Sequence, residues 1–156
     1  MPSNVSVLVV ANRTADSPEL IAALRQRAER QPARFTLLVP AVPRGLAWAA
    51  DMKAGAGDAI TRAEEGLKRL RLAGLDLQGA IVGDPDPFAA VGDALHSGEF
   101  DEVIVSTLPR GASRWLRLSL PDRLRRATDL PVTHVAAHTG GPRRIRWQRQ
   151  PAPVTS

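Results

Sequence analysis

The stretch Val5 to Ala11, VSVLVVA, is apolar except at Ser6. A strand with no polar alternation is covered on both faces, which is the pattern of a parallel sheet. A helical pattern follows it, ADSPELIAALRQRAERQ, in which Asp16 or Ser17 can cap, Pro18 suits the first turn and Glu19 favours the positive helix end. Its apolar stripe is Ile21, Leu24 and Ala28. ARFTLLVPA reads as a second strand ended by Pro40. The next residues, VPRGLAWAADMKAGAG, carry one proline and three glycines and are expected to form an irregular loop.

A second helix is expected from Asp58 to about Leu72, with Ile60, Ala63, Leu67 and Leu70 as its buried stripe and Gly74 as its stop. LDLQGAIVG gives a third strand. Asp86 then caps and Pro87 opens a helix with core positions Phe88, Val91 and Leu95. DEVIVST is a fourth strand. A loop with Arg110, Arg114 and Arg117 leads to a helix over roughly Pro121 to Thr128, and PVTHVAA is a fifth strand. Strands alternating with helices imply a single α/β domain over residues 1–138, three layers deep, with a parallel sheet between two helical layers. Residues 139–156 have no periodicity and read as a disordered basic tail.

Length and composition add limits. A chain of 156 residues, 44% apolar, suits one domain with a sizeable core. It contains no cysteine, so thiol catalysis and disulfides are excluded. The opening residues read as a buried strand rather than a signal peptide, and no run has membrane-spanning length, so a cytoplasmic location is expected. The net charge of +5 owes much to Arg143, Arg144, Arg146 and Arg149 in the tail, and the remainder is close to neutral. With no basic stripe or recognition motif, nucleic-acid binding is not expected.

Three segments resemble the universal stress protein family, in the adenine nucleotide alpha hydrolase-like superfamily. VLVVANRT stands where that family has a strand ending in Asp-Gly-Ser. IVGDPDPFAAVGDAL is similar to its Val-x-x-Gly-x-Pro stretch opening a helix. FDEVIVST, followed by SLPDRLRRATDLPVTHV, is similar to its ligand loop, last helix and final strand. The resemblance spans Val5 to Ala137. It implies a Rossmann-like sheet in order 3-2-1-4-5, a role in stress response, an adenine-nucleotide ligand such as ATP, and a homodimer formed through Pro131–Ala137. Nucleotide-binding members carry three spaced glycines before a Ser or Thr. Here Val105, Leu108 and Leu118 fall at the glycine positions and only Ser119 matches, so the chain resembles a glycine-poor branch. Asn12 stands where the family has an aspartate.

The candidate ligand residues follow from position and chemistry. Asn12 and Arg13 end the first strand, where a doubly wound sheet binds its ligand. Ser106, Thr107 and Ser119 offer hydroxyls to a phosphate, although Ser119 also suits a helix cap. Arg110 and Arg114, with Arg117, can fork onto an anion or simply face solvent. Gly83 and Asp84 can border a base pocket or serve only the turn before a helix. Trp48 and Trp115 can stack on a base or anchor a core. His134 and His138 are spaced to share a strand face, without the acidic or thiolate neighbours of a metal site. His96 suits a helix end. No nucleophile and base are paired by any motif, so catalysis is not expected. The reading is a binding or regulatory module without the usual ATP site. Two alternatives remain open: a nucleotide or small-anion binder with weak hydrolytic activity, and a ligand-free scaffold for a protein partner.

Overall fold

The apolar run at the start forms β1 (Val5–Val10), the middle strand of a parallel five-stranded sheet. The computed structural model describes residues 3–41, 54–108 and 120–137. The other strands are β2 (Ala33–Pro40), β3 (Leu77–Gly83), β4 (Glu102–Thr107) and β5 (Val132–Ala136), in the order β3-β2-β1-β4-β5. The described helices are α1 (Pro18–Arg30), α2 (Ala54–Leu72), α3 (Pro87–Ser97) and α4 (Leu120–Ala127).

Side-chain alternation divides the interior into two cores. Val7 and Val9 of β1, Phe35, Leu37 and Val39 of β2 and Ile104 of β4 pack with Leu20 and Leu24 of α1 and Ala59, Ala63 and Leu70 of α2. Leu8 and Val10 of β1, Leu38 of β2 and Val103 and Val105 of β4 pack with Ala90 and Val91 of α3 and Leu120 and Leu124 of α4. Every residue of β1 from Val7 onward is therefore covered, which is why the run tolerates no polar side chain there. The chain winds outward from β1 through β2 to β3, then returns to β4 beside β1. Strand order reverses between β1 and β4, and the crevice beyond their carboxyl ends is the switch point of the fold.

Local signals set the helix ends. Ser17 caps α1, its Oγ accepting from the Leu20 amide at 3.2 Å, while Asp16 pairs with Arg69 at 3.4 Å. Asp86 caps α3 by accepting from the Phe88 amide. Gly74 ends the turn after α2 with φ +87°, a conformation only glycine adopts without strain.

Two expectations for α2 are corrected. The helix starts at Ala54, so residues 54–57 are helical rather than part of the irregular loop. Glycine in a helix costs about 1 kcal/mol against alanine. The long run of good helix formers after Asp58 outweighs that cost. The buried stripe holds Ala63 and Leu70 as expected, with Leu67 half-buried, but differs at Ile60. Ala59 is buried and Ile60 is 48% exposed. Small residues face the sheet because the helix sits close: a Cβ on Gly66 would stand 3.0 Å from Ala15 Cβ and from Leu37 Cδ2.

Candidate functional site at the carboxyl ends of β1 and β4

The sheet brings four of the sequence candidates together. Asn12 and Arg13 follow β1, and Ser106 and Thr107 close β4, the strand paired with β1. Gly83 and Asp84 end β3, which β2 separates from β1. Arg110, Arg114 and Ser119 lie outside the described residues, as do Arg117, Leu118, Trp48, Trp115 and His138.

The hydroxyls at this end face protein partners. Ser106 is buried, and its Oγ donates to Thr14 Oγ1 at 2.7 Å. That bond ties the end of β4 to the turn between β1 and α1. The turn holds Thr14 in place through two backbone bonds, from the Ala15 amide to the Asn12 carbonyl and from the Ser17 amide to the Thr14 carbonyl. Thr107 is buried as well, and its Oγ1 shares a 2.6 Å hydrogen bond with His134 Nε2 of β5. Asn12 is half-buried and its Oδ1 accepts from Arg62 Nη1 of α2 at 2.8 Å. Arg13 is exposed beside it.

The β3 candidates do structural work. A Cβ on Gly83 would lie 2.7 Å from Ala90 Cβ, so glycine here lets α3 approach the sheet. Asp84 Oδ1 accepts from the Asp86 amide at 2.8 Å, which shapes the turn into α3. Among the described residues no cluster of His, Asp and Glu is arranged to hold a metal ion.

His134 is the group at this end whose protonation is displaced. Burial holds its pKa below the ordinary value, Arg125 of α4 adds to the effect, and Asp122 opposes it. The unfolded chain then binds more protons than the folded one just below the ordinary value of about 6.5. Stability is therefore full above that pH, falls as pH drops toward the lower folded value, and levels off beneath it. His134→Gln keeps a hydrogen-bonding group near Thr107 without a titrating proton. Urea midpoints measured at pH 7.5 and 5.0 should fall less in this variant than in the wild type, and equal falls would contradict the assignment.

Thr14, Arg62 and the Thr107 partner role of His134 were not singled out as site features from sequence. Thr14 had a usable signal, a hydroxyl just past a strand end. The Arg62 bond to Asn12 spans 50 residues and leaves no local mark.

No family model matches the sequence, and no curated protein matches it. Solved structures do. A universal stress protein from Archaeoglobus fulgidus in complex with dAMP aligns with TM-score 0.58 and 12% identity over 86% of this chain and 99% of that one. A universal stress protein in complex with cAMP aligns with TM-score 0.58 and 19% identity over 86% and 98%. An Arabidopsis thaliana universal stress protein family protein with AMP bound gives 0.54 and 14% over 86% and 93%. The molecule is thus an open α/β sheet of the doubly wound class, with its crevice between β1 and β4. Its particular fold is that of the universal stress proteins.

Proposed function

We propose that this chain is a universal-stress-protein-like binding and regulatory module that does not hold ATP in a glycine-lined phosphate cradle. The observation that carries the reading is that the described hydroxyls at the switch point are engaged by protein partners. Ser106 and Thr107, the hydroxyls best placed for a phosphate, are buried and bonded to Thr14 and His134. Val105, at the first glycine position of the family pattern, is fully buried in the core against α3 and α4. A glycine cradle works because backbone amides approach phosphate closely, and a packed valine side chain takes that room.

The dAMP, cAMP and AMP complexes of the neighbouring structures support a ligand for this fold, and a doubly wound sheet meets its ligand at the crevice beyond its switch point. An anion reaching it meets Arg13 in water, where a single ionic contact is weak and screened. The assignment to stress response rests on the family resemblance alone, and the cytoplasmic location remains an expectation from the sequence pattern. Catalysis is not part of the reading.

Isothermal titration tests it. At about 0.15 M ionic strength, Mg-ATP and AMP should bind with dissociation constants weaker than about 100 μM, and should weaken further as salt rises. Low-micromolar binding of Mg-ATP that is insensitive to salt would overturn the proposal, because it would mean that a cradle forms despite Val105.

A further inference from the structure

Among the described residues, the arginines that are half-buried rather than exposed are Arg27 and Arg62. Arg27 has a carboxylate partner, Glu102. The described partner of Arg62 is a neutral amide: Asn12 Oδ1 accepts from its Nη1 at 2.8 Å. Asp58 and Glu65 stand one helical turn away on either side, the spacing at which acids commonly pair with arginine. Among the described residues, neither forms an ion pair with it. Asp16, in the adjoining turn, pairs instead with Arg69. A cation drawn partly out of water is ordinarily matched by a counter-charge. Arg62 is not matched by any described carboxylate.

The fold puts this charge at the rim of the crevice. The helix α2 follows β2, so it begins at the carboxyl end of the sheet. Gly66 brings it against the β1–α1 turn, close to Ala15. Arg62 lies one turn nearer the helix start on the same face, and so it reaches Asn12 where the chain leaves β1. The receiving turn is braced. The Ala15 amide donates to the Asn12 carbonyl, and Thr14 is bonded to Ser106 of β4. Arg62 also fixes how the Asn12 amide lies. A guanidinium can only donate, so Oδ1 faces it and Nδ2 turns away. Among the described residues no group accepts from Nδ2 or from the other N–H groups of Arg62. What the pair has left to offer is chiefly N–H groups, with Arg13 exposed at the next position.

We propose that Arg62 and Asn12 form an oxyanion subsite, in which Arg62 supplies the charge and Asn12 Nδ2 a second hydrogen bond to a carboxylate or phosphate oxygen of the ligand. The inference rests on the crevice being the place where a ligand is met, and it names the group that the ligand presents to the β1 side. Nitrogen donors on a ligand find little to bond there. Guanidinium and oxyanion match in charge and geometry, and the braced turn holds the amide ready. Asn12→Asp reverses the chemistry at nearly constant size: its carboxylate neutralises Arg62 and repels an anion.

NMR of the side-chain N–H signals in the full chain tests the proposal, with sodium phosphate and sodium acetate titrated separately at constant ionic strength. The Arg62 Nε–H and Asn12 Nδ2–H₂ signals should shift together and saturate, with a dissociation constant on the order of 1 mM, as suits a half-exposed single guanidinium. Tighter phosphate assigns the subsite to a phosphoryl ligand, and tighter acetate to a carboxylate ligand. Arg62→Gln should weaken binding at least about tenfold and Arg13→Gln by no more than about threefold. Asn12→Asp should abolish the saturable shift of Arg62 and raise the urea midpoint, which separates lost binding from lost folding. The proposal is overturned if neither anion saturates the Arg62 signal below about 50 mM, or if Asn12→Asp binds as tightly as the wild type. Tight, salt-insensitive binding of Mg-ATP defeats the reading of the glycine-poor cradle and leaves these shifts standing, so the two fail separately.

Discussion

Phe35→Ala is expected to lower the unfolding free energy by about 3–5 kcal/mol. Phe35 is the largest fully buried side chain described, and it sits in β2 between Val7 of β1 and Leu77 of β3. Its ring fills the core beneath α1 and α2, with Leu20, Leu24 and Leu70 in the same cluster. The backbone around it is pinned, since its amide donates to the Asp76 carbonyl at 2.8 Å. A pinned strand cannot sink into the space that alanine leaves, so a cavity adds to the lost transfer energy. Urea denaturation, compared at equal slope, measures the change. A loss below about 1 kcal/mol would show that this core collapses freely around the gap.

The second large effect is electrostatic. Arg27, in the last turn of α1, meets Glu102 at the start of β4, with Nε 2.6 Å from Oε2. Their side chains are only 17% and 12% exposed, so both charges are largely out of water. Removing one partner of a fully buried pair costs about 3–5 kcal/mol, because the other charge stays desolvated and unpaired. Partial exposure lets water reach the survivor, and Glu102→Ala should cost about 2–3 kcal/mol. The double variant Arg27→Met, Glu102→Leu should recover most of that loss, since it leaves no charge behind. The same denaturation experiment decides the matter: a neutral Glu102→Ala would mean that Arg27 simply turns out to solvent.

Much of the architecture could be read from residue order because its causes are local. The unbroken apolar run of β1 required cover on both faces, and Ser17, Asp86 and Gly74 marked their helix ends through their own chemistry. The stripe of α2 was misread at Ile60 because apolar character pointed to a large residue, while close packing at Gly66 demanded small ones. The candidate site was legible as a place and less so as chemistry. Asn12, Arg13, Ser106 and Thr107 do gather at the switch point. The bond that engages Ser106 joins it to Thr14 across 92 residues, and nothing in either neighbourhood announces the other. Gly83 and Asp84 drew attention through their types, and those types serve the approach and entry of α3.

The register of β3 against β2 slips between Phe35 and Thr36, whose partners are Leu77 and Gly79, so Gln78 is a supernumerary residue with no opposite number. This makes β3 unusual in its tolerance of length. In an ordinary strand, deleting one residue turns every later side chain to the other face. Deleting Gln78 would remove only the surplus: Ala80 would still face Leu37's core, Ile81 would stay on the α3 side, and the edge would keep its composition. The sheet thus contains a joint where the chain can shorten by one residue and remain in phase.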